Sequence, residues 1–362
     1  MNLADMLTYA DIGQLTAIAG RYQCDCKRNS KHDLIQSILI TLGSREFMES
    51  HIKGCSPEEL RFLNTLLFDE RSQFSLEDLL AAARQASFDT PAGKSGGYRE
   101  LISTFKNSGW LFSGASQQSR YQYQIPADLK SRFRDRMGGY LKERIVTCPE
   151  PPVYRGEGEL LAGDLLLFLR YVQENEPELN QEGALYKRNQ QGVMNALQIA
   201  EPLLGKGGWR FGYGRAFEHY PPRFALLYDY ARHRRWTSEE GYRLKLTSAG
   251  SVFLEEGKSE KLMQLFTFWL RLYKGAIPNL PSLVYWISHC AGSWVSIASL
   301  SEALGWLIKP FYYDDAAAIL EQRILRMLLH LGMLRLGDGD EGPVVIMTPW
   351  GSEAAVPRLL LK

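Results

Sequence analysis

The stretch of sequence that decides the fold is WLFSGASQQSRYQYQI, residues 110–125. Its two ends, Trp110–Phe112 and Tyr121–Ile125, carry the aromatic and apolar residues that favour short β-strands. Between them lies Ser113–Ser119, which is rich in turn residues. The segment therefore predicts a small β-hairpin.

Three predicted helices precede this hairpin. Ser56-Pro57-Glu58-Glu59 is a capping box with proline at the first helical position, and Ser75 is placed to cap a second helix over Leu76–Gln85. A third helix, ending near Gly109, is indicated by apolar residues at helical spacing, namely Tyr98, Leu101, Ile102 and Phe105. Three helices followed by a hairpin is the element order of a winged helix.

The same order can be traced twice more. The second set has helical patches before the strand Tyr242–Leu246, and these are Leu165–Val172, Val193–Ala200 and Phe224–Ala231. The third set has its helical patches before the strand Val344–Met347, and these are Leu262–Tyr273, Ile297–Leu307 and Ala316–Leu331. Both sets end on a similar five-residue sequence, Leu-Thr-Ser-Ala-Gly at Leu246–Gly250 and Met-Thr-Pro-Trp-Gly at Met347–Gly351. This similarity indicates an internal repeat.

The N-terminal residues predict short helices. Ser30 is placed as an N-cap before Leu34, Ile35, Ile38 and Leu39. Two short helices around the polar turn Cys24–Ser30 resemble the SAP-like or Rho-N-like helix-extended-loop-helix module. The closely spaced prolines of Pro149–Pro152 indicate a linker.

The expected fold is therefore mainly α, of the α+β class, with tandem winged-helix units and small β-hairpin wings. The predicted domains are a helical N-terminal module over residues 1–53 and three winged helices over residues 54–149, 150–258 and 259–362.

Composition excludes several classes of protein. The 362 residues contain 42 Lys+Arg against 41 Asp+Glu, so any surface that binds a polyanion must be local. No apolar run approaches the roughly 20 residues that span a bilayer, and the N-terminus lacks the features of a signal peptide. Five scattered cysteines are typical of reduced thiols. We expect a cytoplasmic protein with no membrane partner.

Several segments resemble bacterial helicase-associated winged-helix proteins, which are similar to the non-motor N-terminal region of XPB-type helicases. The segments are RYQYQIPADL (Arg120–Leu129), GALYKRNQ (Gly183–Gln190), RFALLYDYARHRRW (Arg223–Trp236), LKLTSAG (Leu244–Gly250) and the terminal VIMTPWG. The resemblance covers about residues 54 to 362. It implies several winged helices that contact DNA or dock onto a helicase.

Motifs for catalysis are incomplete. Gly93-Lys94-Ser95 has the end of a P-loop, but Phe88 stands where its first glycine belongs. Leu66–Glu70 imitates a metal-binding strand, yet its spacing places it at the end of a helix. Asp314-Asp315 precedes three alanines and is more simply a helix N-terminus. No Gly-x-Ser-x-Gly nucleophile motif is present.

Metal sites are also weakly indicated. A group of thiols and imidazoles lies within about thirty residues, but its first pair is separated by one residue where zinc knuckles use two to four. The group is Cys24, Cys26, His32, His51 and Cys55. Gly337–Gly342 lacks the spacing of a calcium loop and predicts a hairpin turn. We expect no cofactor and no enzymatic activity.

The most informative feature is a basic and aromatic stretch over residues 206–236. It carries seven basic residues against Glu218 and Asp229, with nine aromatics interleaved and glycines throughout Gly205–Arg215. Cations bind phosphates and aromatic rings stack on exposed bases. Two further cations, Lys187 and Arg188, open a predicted helix upstream of this stretch. Together they give the predicted nucleic-acid-binding residues Lys187, Arg188, Lys206, Trp209, Arg210, Tyr213, Arg215, Arg223, Arg232, Arg234 and Arg235. The alternative is a surface loop before an amphipathic helix whose terminal cations complement the helix dipole.

Two further charged sets bear on function. The first is a net basic helix after the first wing, with Arg132, Arg134, Arg136, Lys142 and Arg144. The second is the acidic tip of the third wing, with Asp338, Asp340 and Glu341, which would repel phosphate and predicts contact with protein.

The sequence favours a non-catalytic DNA-binding accessory protein, for duplex or single-stranded DNA. Action beside a separately encoded helicase is implied by the resemblance alone. The alternative is a protein–protein scaffold that binds no nucleic acid.

Overall fold

The computed structural model describes residues 1–27, 30–69, 71–89, 97–114, 119, 121–205 and 212–356. The chain is mainly helical with small antiparallel sheets. It divides into two compact units, one of Met1–Arg144 and one that begins at Ile145. The division falls five residues before the predicted linker. Each unit contains two of the four predicted domains.

The first unit begins with four capped helices. Its elements are α1 (Leu3–Tyr9), α2 (Ile12–Arg21), α3 (Lys31–Gly43), α4 (Arg45–Gly54), α5 (Pro57–Leu67), α6 (Leu76–Ala86), α7 (Gly97–Asn107), β1 (Phe112–Ser113), β2 (Tyr123–Gln124) and α8 (Ala127–Lys142). The predicted cap is confirmed at Ser30, whose hydroxyl accepts from the Asp33 N–H, and Ser44 caps α4 in the same way. Buried leucines and isoleucines join α2 to α3.

Residues 57–124 form what we call the first module. The capping boxes at Ser56 and Ser75 are confirmed and begin α5 and α6. Between these helices, Phe74 pairs with Tyr123 of β2 through two backbone hydrogen bonds of 2.7 and 2.8 Å. The first module therefore runs helix, single strand residue, helix, helix and hairpin, with β2 between Phe74 and β1.

Helix α8 joins the first module to the N-terminal helices. It packs on α4 through a buried apolar face. Its start is tied to the chain terminus, since Asp128 accepts from the Leu3 N–H at 2.8 Å and the Ala127 N–H donates to the Met1 carbonyl at 3.0 Å. The predicted boundary at residue 53 therefore lies inside one compact unit.

The second unit carries the remaining elements. They are β3 (Tyr154–Gly156), α9 (Leu160–Asn175), α10 (Lys187–Ala196), α11 (Pro222–His233), β4 (Thr237–Glu240), β5 (Arg243–Leu246), α12 (Ser248–Glu255), α13 (Leu262–Tyr273), α14 (Leu280–Cys290), β6 (Val295–Ser296), α15 (Ile297–Leu304), α16 (Ala316–Ala318), α17 (Arg326–His330), β7 (Leu334–Gly339), β8 (Gly342–Met347) and α18 (Pro349–Ala354). A π-helical segment, Ile319–Leu325, makes α16 and α17 continuous.

Residues 160–246 form the second module, with α9, α10 and α11 before the β4–β5 hairpin. A short extended segment after α9 pairs with β5, because the Leu179 N–H donates to Tyr242 and the Leu244 N–H donates to Pro177. The hairpin closes in two residues, Gly241 and Tyr242, which both have positive φ as a type I′ turn requires. The order of elements is that of the first module.

Residues 280–347 form the third module. Its helices are α14, α15 and the continuous α16–α17, and its sheet has the order β3-β7-β8-β6. The sequence placed Leu262–Tyr273 as the first helix of this set. In the structure α14 takes that place, and α13 packs against α9, α11 and α14.

The repeated ending of the second and third modules is a shared structural device. Thr247 and Thr348 each cap the helix that follows the hairpin, and each N–H also bonds a carbonyl that precedes the hairpin, that of Trp236 or Met333, at 2.9 Å. A side chain at Gly250 or Gly351 would collide with that same carbonyl. The repeated sequence thus serves one purpose in both places: its glycine lets the helix backbone come close to the backbone that precedes the hairpin.

Candidate nucleic-acid interface

The predicted binding residues that the structure describes do not form one surface. Lys206, Trp209 and Arg210 lie outside the described residues. Tyr213 is buried, with its ring against Tyr273 and Phe311 and its hydroxyl donating to Asp314 at 3.2 Å. Burial and the Asp314 charge raise the pKa of Tyr213. Tyr213 therefore anchors the loop inside the protein and offers no ring face to a base.

The prediction that Arg223 binds phosphate needs correction. Its side chain is 1% exposed, its Nε donates to Glu157 at 3.0 Å, and its Nη1 lies 2.6 Å from Asp164. Both carboxylates are fully buried, and His330 Nδ1 lies 3.0 Å from the same Glu157. A buried guanidinium requires such partners, because an unpaired charge inside a protein is very costly. The helix patterning could not show them, since they come from α9, from the segment before it and from α17.

Most of α11 shares this burial. Every residue from Arg223 to Ala231 is buried, since the helix contacts α9, α13 and α17. Its N-terminus is held by Glu201, whose carboxylate accepts from the Arg223 and Phe224 N–H groups. A helix enclosed on all sides cannot enter a DNA groove. Over Arg223–Ala231, α11 therefore offers no surface to DNA.

The cations at the end of α11 are mostly paired. Arg232 forms an ion pair with Glu239, and Arg234 lies 3.6 Å from Glu260 and over the ring of Trp236. Arg235 is exposed and has φ of +56°, so it ends the helix in a left-handed conformation.

Other predicted cations of the second module lie on its surface. Lys187 and Arg188 are exposed on the first turn of α10, where the Lys187 Nζ donates to the Leu204 carbonyl at 2.6 Å. Arg215 is exposed, and its N–H donates to Asp229 at 3.0 Å. Together with Arg235, these residues lie where a phosphate can reach them, and Arg234 is also exposed, beside Glu260.

A polar stripe on α7, the third helix of the first module, is not among the residues predicted from the sequence. This helix buries Leu101, Ile102 and Phe105 and exposes Arg99, Ser103 and Asn107. Residues four apart share a helix face, so these three side chains form one row. Arg, Ser and Asn are residue types that hydrogen-bond base edges in the major groove. The spacing of four residues between them was the signal in the sequence that could have identified this row.

Neighbouring elements hold α7 in place. Tyr22 of α2 donates its hydroxyl hydrogen to the Ser108 carbonyl at 2.8 Å, and Gln14 donates to the Leu111 carbonyl at 3.2 Å. Lys106 lies over the ring of Tyr123 in β2, which ties the helix to the hairpin. One acid, Glu100, is exposed on the same helix. The stripe thus sits on a rigid element.

The basic helix α8 is partly engaged with its neighbours. Arg136 lies 3.6 Å from Glu49, and Arg144 covers the ring of Tyr140 and bonds its hydroxyl. Lys130, whose pKa burial lowers, donates to the Leu66 carbonyl. Arg132 and Lys142 are exposed cations on this helix, and Arg144 is an exposed cation two residues past its end.

The carboxylates considered for catalysis have structural partners. Asp315 caps α16, whereas Asp314 is buried and paired with Arg323 at 2.8 Å. Gly337–Gly342 lies in the β7–β8 hairpin, as predicted. Gly93–Ser95 lies outside the described residues.

The thiols and imidazoles have local contacts. Cys24 Sγ lies 3.4 Å from the Thr41 hydroxyl, and Cys55 Sγ lies 3.6 Å from His51 Nε2. Among the described residues, no three His, Cys, Asp or Glu side chains come together as a metal site would require.

Comparison with known proteins returned no match, whether by family models, against curated proteins or against solved structures. Within the described ranges, every helix is too short or too polar to cross a membrane.

Proposed function

We propose that the three modules are winged helices and that the protein is a non-catalytic DNA-binding protein. The topology supports this. In each module a short strand after the first helix pairs with the last strand of the hairpin, and two helices lie between them. That arrangement is the one expected of a winged helix, in which the third helix is the element that enters the major groove.

The observation that carries the DNA-binding proposal is the contrast between two equivalent helices. Helix α7 exposes Arg99, Ser103 and Asn107 in one row, whereas α11 is buried throughout its central turns. We assign groove contact to α7, with its arginine on a guanine edge and its asparagine on an adenine edge. The exposed cations of α8 lie in the same compact unit, where they add phosphate contacts.

Fluorescence anisotropy with labelled duplex, forked and single-stranded DNA tests this assignment in the full-length protein. Arg99→Ala should weaken duplex binding by about 5- to 150-fold, which corresponds to about 1–3 kcal/mol for one base contact. Lys53→Ala, an exposed cation on α4 of the same unit, is the matched control and should change affinity little. Equal affinities for the two variants would refute groove contact by α7.

Four exposed cations of the second module, Lys187, Arg188, Arg215 and Arg235, provide a second set of phosphate contacts in this proposal. Reversal of Lys187, Arg188, Arg215 and Arg235 to Glu should weaken binding to all DNA forms and reduce the slope of log affinity against log salt. Unchanged binding and an unchanged salt slope would remove this set from the interface.

The scaffold alternative has its own observation. Burial of α11 leaves the second module without its groove-binding helix, and the β7–β8 tip exposes Asp338, Asp340 and Glu341. We propose that this acidic tip docks a protein, and the family resemblance suggests a separately encoded helicase. Asp338→Asn, Asp340→Asn and Glu341→Gln together should reduce co-purification of a helicase identified by mass spectrometry. Retained partner binding with lost DNA binding would refute the assignment.

A further inference from the structure

A tight turn precedes the third helix of the third module. Phe311 and Asp314 exchange two backbone hydrogen bonds of 3.0 Å, and Tyr312 between them has φ of +51°. Left-handed backbone is strained for a bulky residue with a Cβ atom, and such strain persists only where surrounding contacts over-determine it.

Those contacts are present beneath the turn. The buried carboxylate of Asp314 accepts from Arg323 Nε at 2.8 Å and from the Tyr213 hydroxyl at 3.2 Å. The ring of Phe311 packs edge-on against Tyr213, with 5.7 Å between centroids. Tyr213 also meets Tyr273 at the end of α13, with 5.0 Å between centroids. The turn is therefore a rigid platform.

Two aromatic side chains rise from this platform. Tyr312 is 81% exposed and Tyr313 is 76% exposed, and no large apolar side chain among the described residues is more exposed than Tyr312. Two aromatic side chains on a fixed backbone offer large contact area, and each tyrosine has only two side-chain torsions to order on binding. The strained turn thus presents aromatic surface to solvent.

Three cations lie close in sequence to residues of the turn or of its supporting contacts. Arg215 follows Tyr213 by two residues, Lys274 follows Tyr273 directly, and Lys309 precedes Tyr312 by three. All three cations are exposed. The nearest exposed acid in sequence is Asp315, which is engaged as the cap of α16, and the charge of Asp314 is matched by Arg323.

We propose that Tyr312 and Tyr313 form a binding site for single-stranded nucleic acid. Unpaired bases stack on the two rings, and phosphates on either side are bound by Lys309, Lys274 and Arg215. Aromatic stacking combined with cations is the common physical basis of binding to single strands, and it tolerates any base. The site lies in the second unit and goes beyond the proposed duplex contact of α7.

The experiment compares oligonucleotides of equal charge in the full-length protein. The probes are a labelled dT15, its ribose equivalent rU15, and a 15-unit abasic strand. Tyr312→Ala/Tyr313→Ala should weaken dT15 binding by about 5- to 150-fold for each base that loses its stacking partner. Tyr312→Phe/Tyr313→Phe keeps both rings and should bind as the wild type does. The rU15 arm shows whether the site prefers DNA or RNA.

The abasic strand isolates stacking from phosphate contact. Wild type should bind it more weakly than dT15, and the alanine variant should not distinguish the two strands. Equal binding of dT15 by wild type and the alanine variant, with unchanged thermal unfolding, would overturn the proposal and assign this surface to a protein partner. Duplex binding is measured in parallel, so loss of α7 function through Arg99→Ala is distinguished from loss of this site.

Discussion

The guanidinium of Arg223 on α11 lies 2.6 Å from the carboxylate of Asp164 on α9, and both side chains are buried. The same guanidinium binds Glu157, which also contacts His330 on α17. Side chains of the second and third modules therefore share one buried ionic cluster. Because Arg223 is paired inside this cluster, α11 can pack between the two modules with its arginine buried.

Arg223→Ala should destabilise the second unit strongly. Removing one partner leaves the carboxylates of Glu157 and Asp164 buried and uncompensated, which typically costs about 3–5 kcal/mol. Arg232→Ala is the matched control on the same helix, because its partner Glu239 is partly exposed and such surface pairs contribute about 0–1 kcal/mol.

Chemical denaturation of both variants measures the difference in the free energy of unfolding. Hydrogen exchange followed by mass spectrometry then shows whether the amides of α11 lose protection. Equal destabilisation by the two substitutions would contradict a structural role for the cluster.

Acid should destabilise the second unit through Glu157. Burial alone would raise the pKa of this carboxyl, but the hydrogen bond and charge of His330, with the charges of Arg223 and Arg155, hold it at about 2. A folded pKa below the ordinary value of 4.5 means that the unfolded chain takes up the proton first. The contribution to stability is therefore present above pH 4.5 and is lost as the pH falls from there to about 2.

Unfolding free energies measured across this pH range test the assignment. Glu157→Gln removes the titrating group and should flatten the dependence in this window. A variant with the same acid dependence as the wild type would show that another group is responsible.

Local features of this fold could be predicted from the sequence, whereas contacts between residues far apart in the chain could not. The caps at Ser30, Ser56 and Ser75 are local signals, because each side chain bonds an N–H three residues on, and all were read correctly. The role of Arg223 depends on Glu157, which lies 66 residues away. Periodicity and charge give no distance of that kind, so the sequence predicts a surface cation where the structure has a buried one.

The first unit should lose stability at milder acidity than the second. His51 lies between the rings of Phe47 and Trp110, at centroid distances of 5.6 and 5.4 Å. Burial lowers the pKa of His51 to about 4 from its ordinary 6.5. The unfolded chain therefore binds a proton before the folded one does, and stability falls as the pH drops from about 6.5 to 4.

His51→Phe keeps an aromatic ring in the stack and cannot be protonated. Its unfolding free energy should fall less steeply between pH 6.5 and 4 than that of the wild type. Tryptophan fluorescence, with Trp110 as the local reporter in this unit, follows the transition. An unchanged decline in the variant would exclude His51 as the sensitive group.

The glycines that end the second and third modules should be intolerant of any side chain. A Cβ at Gly351 would overlap the backbone carbonyl of Met333, and one at Gly250 would overlap that of Trp236. A backbone carbonyl cannot rotate away as a flexible side chain can, so Gly351→Ala must shift α18 away from the β7–β8 hairpin. We expect a loss of about 1–3 kcal/mol in the free energy of unfolding, as for other overpacked sites.

Gly305→Ala, where a Cβ meets nothing within 4 Å, is the control and should be neutral or slightly stabilising. Thermal unfolding of the two variants measures the difference, and equal melting temperatures would show that the close approach at Gly351 is not required.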